Sequence, residues 1–273
     1  MIRAGVLTIV VGLSFLVPAT ASAAPHAAAA AIGPGVELLI PVDPRSSNVC
    51  TADFVFTAGG AAYLGMAAHC AGTGSRDAGS GCEEPTLPVG TSVLIRRTDG
   101  ATSSAKLAYS SWVTMQQRHE KDPQRCEFND FALVALSAGD AASVNPTVPV
   151  LGGPSGIDVN GVTAGEAVYS YQPHDGATPV KTGTSLGDGA DGQIHYVATR
   201  PPGVPGDSGS GFLDAHGAAF GLLSTEFDDA QHSNGVVDLA TTLDYASRYG
   251  GLGPVTLVPG TVPFTRTNPS AQV

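Results

Sequence analysis

The sequence predicts an all-β protein in two halves with a single helix near its C terminus, and three observations carry that prediction. Short runs rich in β-branched and apolar residues recur between turn clusters. The 273 residues include 35 glycines and 20 prolines, too many turn formers for long helices yet short of a low-complexity chain. A Pro/Gly-rich stretch from Asn145 to Gly156 separates two halves, each the size of a small antiparallel barrel.

The strand candidates are Val36 to Val42, Phe54 to Thr57, Ala62 to Ala67, Thr91 to Arg96 and Phe131 to Leu136 in the first half. In the second they are Ala167 to Tyr171, Gln193 to Ala198, Gly211 to Leu213 and Ala218 to Leu223. Their lengths suit strands, and the Gly, Asn, Asp and Pro breaks between them suit hairpins. The helix is expected over Leu239 to Tyr249, where Leu239, Leu243 and Ala246 share a face and Gly250-Gly251 supplies the stop. Beyond Gly251 four further prolines lead to Val273, and residues 251–273 are expected to form an extended tail.

Hydrophobic residues make up 42% of the chain and charged residues 14%, ample for a core. Twenty-four acidic against 13 basic residues give a net charge of −11. That balance excludes a nucleic-acid or anionic-membrane surface, which would need clustered Lys and Arg.

The N terminus reads as a secretory signal peptide. Arg3 precedes an apolar run from Gly5 to Val17, Pro18 breaks it, and Ala21-Ser22-Ala23 is a small-x-small cleavage site. The run is shorter than the roughly 20 residues of a bilayer span. The expected organisation is therefore a signal peptide over 1–23, a leader over 24–32, an N-terminal barrel over 33–146, and a C-terminal barrel with its helix over 147–250. The protein is expected to be secreted, with no membrane association after cleavage.

Export makes disulfides the expectation for Cys50, Cys70, Cys82 and Cys126. They have no zinc-site spacing, and neither metal nor cofactor is expected. Four cysteines permit three pairings, among which sequence order does not choose; the two local closures, Cys50 with Cys70 and Cys82 with Cys126, are favoured.

Three residues carry the chemistry. In Gly206-Asp207-Ser208-Gly209-Ser210-Gly211 a serine sits between glycines, which permit a tight turn aiming the N–H groups of Gly206 and Ser208 at one point. Such donors stabilise the oxyanion formed when a serine attacks a carbonyl. The run also resembles the serine turn of α/β-hydrolases, but Ser210 stands where the second glycine belongs and no helix can follow. A serine needs a base, and His69 closes the apolar run Tyr63 to Ala68 just before Cys70. His26, His119, His174, His195, His216 and His232 lie in leader, polar or loop contexts. Asp130, at the mouth of Phe131 to Leu136, is the candidate third member, because a carboxylate there loses water and needs a partner.

Together Cys50 with Ala67-Ala68-His69-Cys70, Asn129-Asp130-Phe131-Ala132-Leu133-Val134-Ala135-Leu136, Gly206-Asp207-Ser208-Gly209 and the weaker Gly221-Leu222-Leu223-Ser224 resemble the chymotrypsin/trypsin-like serine peptidases, particularly secreted bacterial ones. The resemblance spans about Cys50 to Ser224. It implies two antiparallel β-barrels with the active site between them, supports the Cys50–Cys70 pairing, and implies a secreted, monomeric endopeptidase acting on protein or peptide substrates. Ser208 would be the nucleophile, His69 the base, Asp130 its orienting carboxylate, and the amides of Gly206 and Ser208 the oxyanion hole.

The chain departs from the family at the substrate site. The position six residues before the nucleophile, an aspartate in trypsin, is Pro202, and Ser224 is followed by Thr225 and Glu226 instead of an aromatic and a glycine. Pro202, Ser224 and Glu226 are the substrate-binding candidates, with Asp228 and Asp229 near Glu226. No Arg/Lys-Ile-Val-Gly-Gly activation string is present, so Asp207 is expected to find an internal partner, an arginine being the candidate. The altered substrate strand also supports an alternative, a catalytically inactive protease-like binding or adhesion protein.

Overall fold

The computed structural model describes Met1 and residues 31–74, 80–227 and 229–266. The expected signal peptide, apart from Met1, lies outside the described residues, as do Asp228 and the chain beyond 266. Among the described residues no helix is long and apolar enough to cross a membrane.

The first half contains β1 (Glu37–Asp43), β2 (Ser46–Thr51), β3 (Val55–Ala58), β4 (Ala61–Met66), β5 (Ser92–Arg96), β6 (Thr102–Ser110) and β7 (Ala132–Ala135), with helices α1 (Ser111–Arg118), α2 (Pro123–Phe128) and the single turn α3 (Ala138–Ala141). The second contains β8 (Ala167–Tyr171), β9 (Val180–Gly189), β10 (Ile194–Thr199), β11 (Gly211–Leu213), β12 (Ala219–Glu226), β13 (Asn234–Asp238) and α4 (Leu239–Tyr249), followed by β14 (Thr256–Leu257).

The second half forms a closed antiparallel barrel in the order β10-β13-β12-β11-β8-β9. The first forms an eight-stranded antiparallel sheet, β14-β3-β4-β7-β6-β5-β1-β2, which no strand ladder closes among the described residues. Only Ala52, Asp53 and Phe54 separate the end of β2 from the start of β3, so the chain itself links the edge strand β2 to β3, the strand next to the opposite edge. Asp53 N donates to Gly65 O at 3.1 Å and Gly65 N to Phe54 O at 3.0 Å, tying that bridge to β4.

Several expectations are corrected. The tail beyond Gly251 is packed: β14 pairs with β3, Val255 and Leu257 are buried, and the Phe264 ring meets Tyr169 edge-on, centroids 5.3 Å apart. The leader's last residue, Ile32, is a core residue. Three helices accompany the expected one. Asp122 caps α2 by accepting from Gln124 N and Arg125 N, with Pro123 in the first turn, where its missing N–H costs nothing. Ser110 caps α1, and Asp238 caps α4, accepting from Thr241 N at 2.6 Å.

The largest core cluster runs through both halves, joining Leu38, Phe54, Leu64, Met66 and Leu133 to Leu213, Leu222 and Val237, while Val168, Val197, Phe212, Phe220 and Val236 fill the barrel separately. The shared cluster holds the two halves as one body.

Candidate active site

Strand register brings His69 and Asp130 together. In the β4–β7 pair Met66 stands opposite Ala132, so the chain leaving β4 and the chain entering β7 meet at one end of the sheet. His69 lies in a short 3-10 turn, Ala68–Ala71, anchored by the Cys50–Cys70 disulfide. The second disulfide joins Cys82 to Cys126. His69 Nδ1 donates to Asp130 Oδ2 at 2.6 Å, and its backbone N–H donates to Oδ1 at 2.7 Å. Asp130 is buried, and Ser224 Oγ, arriving from β12, donates to Oδ2 at 2.6 Å.

This contact sets the electrostatics. Burial alone would lower the His69 pKa, but the Asp130 charge and hydrogen bond outweigh it and leave it raised. Burial would likewise raise Asp130, and is outweighed by His69, Ser224 and the His69 amide, which hold it below its ordinary value. The pair favours an imidazolium beside a carboxylate.

Ser208 is placed by its backbone. Its carbonyl accepts from Thr51 N at 2.9 Å, next to Cys50, and Gly209 N donates to Leu223 O at 2.7 Å, next to Ser224. Gly209 has φ +90°, and a Cβ there would sit 2.4 Å from Thr51 O and 3.0 Å from Ala67 N. Glycine is needed on both counts. The Ser208-Gly209 peptide thus lies between the residues leading to His69 and the strand bearing Ser224. Among the described residues, neither Gly206 N nor Ser208 N has an acceptor, and Ser208 Oγ makes no hydrogen bond to His69.

Asn234 links Gly203, the residue after Pro202, to the strand position facing Glu226. Asn234 Oδ1 accepts from Gly203 N at 3.2 Å and from Thr199 Oγ1 at 3.0 Å, and Asn234 stands opposite Glu226 in the β12–β13 pair. Glu226 is exposed, while Asp229 turns to Ser233, accepting from its N–H at 3.0 Å and its hydroxyl at 2.5 Å.

The partner of Asp207 is corrected. Among the described residues no arginine reaches it; the buried carboxylate accepts from His174 N at 3.0 Å and Val204 N at 3.1 Å. Burial pushes its pKa up against those two donors and the nearby His174 and Lys181. Sequence reasoning missed Lys181, Asp175, Thr51 and Asn234 as members of this neighbourhood. Among the described residues, Cys50, His69 and Cys70 are the one group close enough to hold an ion, and both sulfurs are committed to the disulfide.

This architecture is that of a known class. Thermobifida fusca protease A is similar over 85% of this chain and 100% of its own, at 19% identity and a TM-score of 0.51. The chymotrypsin of Cellulomonas bogoriensis matches over 84% of this chain and 98% of its own, with 18% identity and a TM-score of 0.49. No family model and no curated protein sequence matches the chain. The Thermobifida match shows the fold: the chain has the chymotrypsin-like serine protease fold.

Proposed function

We propose that the protein is a secreted serine endopeptidase that hydrolyses peptide bonds through an acyl-enzyme. The observation that carries this reading is the buried Asp130 carboxylate, held by Ser224 Oγ and bonded to His69 Nδ1 at 2.6 Å. This bond leaves Nε2 as the ring nitrogen available to take a proton.

In this reading substrate binding closes Ser208 Oγ onto His69 Nε2, as catalytic hydrogen bonds often tighten only in the complex. His69 takes the hydroxyl proton as Oγ attacks the scissile carbonyl carbon. The resulting oxyanion is met by the N–H groups of Gly206 and Ser208, which no other group occupies among the described residues. Asp130 stabilises the imidazolium, which then protonates the leaving amine as the C–N bond breaks. Water, deprotonated by His69, attacks the acyl carbon; the ester C–Oγ bond then breaks as His69 returns the proton to Ser208 Oγ, releasing the carboxylic acid product. The two disulfides agree with export to an oxidising compartment.

The test is hydrolysis of denatured protein by the mature, disulfide-bonded chain. Cleavage that disappears in Ser208→Ala and in His69→Ala supports the reading; no cleavage of any sequence in a peptide library refutes it and leaves the inactive binding protein.

A further inference from the structure

Behind the serine loop lies a lysine that this chemistry does not use. Lys181 is on β9, and its side chain has no solvent exposure. A lone ammonium there would be costly to desolvate. Its partner is Asp175, with Nζ 2.5 Å from Oδ2, and Asp175 also accepts from Thr178 Oγ1 at 2.7 Å. Asp175 belongs to the turn between β8 and β9, whose base is closed by Gln172 N donating to Pro179 O at 2.7 Å. The ion pair therefore fixes this turn to the strand that follows it.

The same turn supports the serine loop. His174, one residue before Asp175, donates its N–H to Asp207 Oδ1 at 3.0 Å. Its imidazole lies against Gly206, where a Cβ would come 2.8 Å from His174 Cγ and 2.9 Å from Nδ1. Gly206 has φ +105°, a conformation that side-chain-bearing residues rarely adopt. We infer that the Lys181–Asp175 ion pair is an internal latch, its two members positioning residues that set the oxyanion N–H groups of Gly206 and Ser208 through the 172–179 turn. The cation behind the loop then comes from within the fold, and the loop needs no ammonium from a newly cut terminus. The latch's catalytic consequence rests on Ser208 being the nucleophile; its hold on the loop does not.

Lys181→Met keeps the length of the side chain and removes its charge, leaving Asp175, 18% exposed at its side chain, to water. The double variant Lys181→Met/Asp175→Asn removes both charges. Active sites are counted with a fluorophosphonate. For each counted site, kcat and KM for a peptide substrate are measured with the affinity for a peptide aldehyde, whose adduct places an oxyanion at the hole. Hydrogen exchange of the 203–210 segment is followed alongside. In both variants the latch predicts kcat and aldehyde affinity each lower by at least about tenfold, KM within about threefold, and faster exchange over 203–210. Per-site kcat, aldehyde affinity and exchange all equal to the parent's overturn it, even if thermal stability falls. A parent that takes no label refutes the nucleophile, not the latch. The exchange then decides alone, faster supporting the latch and unchanged overturning it.

Discussion

His69 can accept a proton only when uncharged, and Asp130 holds its pKa above the ordinary 6.5. The acid limb of kcat/KM is therefore expected above about pH 6.5, falling tenfold per pH unit below it. Asp130→Asn removes the carboxylate, so the limb should move to lower pH while kcat drops roughly 10³–10⁴-fold; pH–rate profiles of both proteins check this. The pair also links stability to pH. The raised His69 stabilises fully below its unfolded value and loses that contribution as pH rises through its folded value. The depressed Asp130 stabilises above its unfolded value and loses that contribution as pH falls through its folded value. The stability difference between parent and Asp130→Asn should thus be largest between these limits and shrink on either side, read from urea midpoints across pH.

At the scale of elements, β8, β11 and α4 match the sequence-based expectations, the strands because they are short apolar runs between turn residues and buried at consecutive positions, the helix because Leu239, Leu243 and Ala246 share a buried face. The elements that went unseen carry small or polar residues inward. β6 is the exception, because Ala105, Leu107 and Tyr109 are buried and Ser104 and Lys106 exposed in regular alternation; in β9, by contrast, Lys181 and Ser185 point into the protein. A polar inner face erases the alternation that marks a strand, and for the same reason the latch was invisible. α1 and α2 had signals, Ser110 and Asp122-Pro123, that short polar helices make easy to overlook. The disulfides act at this scale too. With sequence separations of 20 and 44, chain entropy assigns about 3 kcal/mol to Cys50–Cys70 and about 4 kcal/mol to Cys82–Cys126. Replacing either pair with alanines should lower the urea midpoint accordingly, and losing Cys50–Cys70, which anchors the His69 turn, should also cost kcat.

At the scale of the whole molecule, the serine loop of the barrel reaches the His69–Asp130 end of the sheet because one core is shared. The C-terminal segment binds both halves, with β14 on β3 and Phe264 on Tyr169. Ending the chain after Gly253 exposes the sites of Val255 and Leu257, each worth about 1.5–3 kcal/mol of burial, so the truncated protein should lose at least about 3 kcal/mol in denaturant titration. This packing was illegible in the sequence because the segment is rich in proline and its partners lie far upstream, on β3 and in β8. The His69–Asp130 contact and the tight glycine turn at Ser208 were legible because glycines and apolar strands flank those residues locally. The most direct measurement is reaction of the folded, disulfide-bonded protein with a fluorophosphonate, followed by peptide mass spectrometry. One adduct, on Ser208, that disappears in Ser208→Ala is the result expected of a serine peptidase; no adduct on the folded parent, or equal labelling of Ser208→Ala, would contradict it.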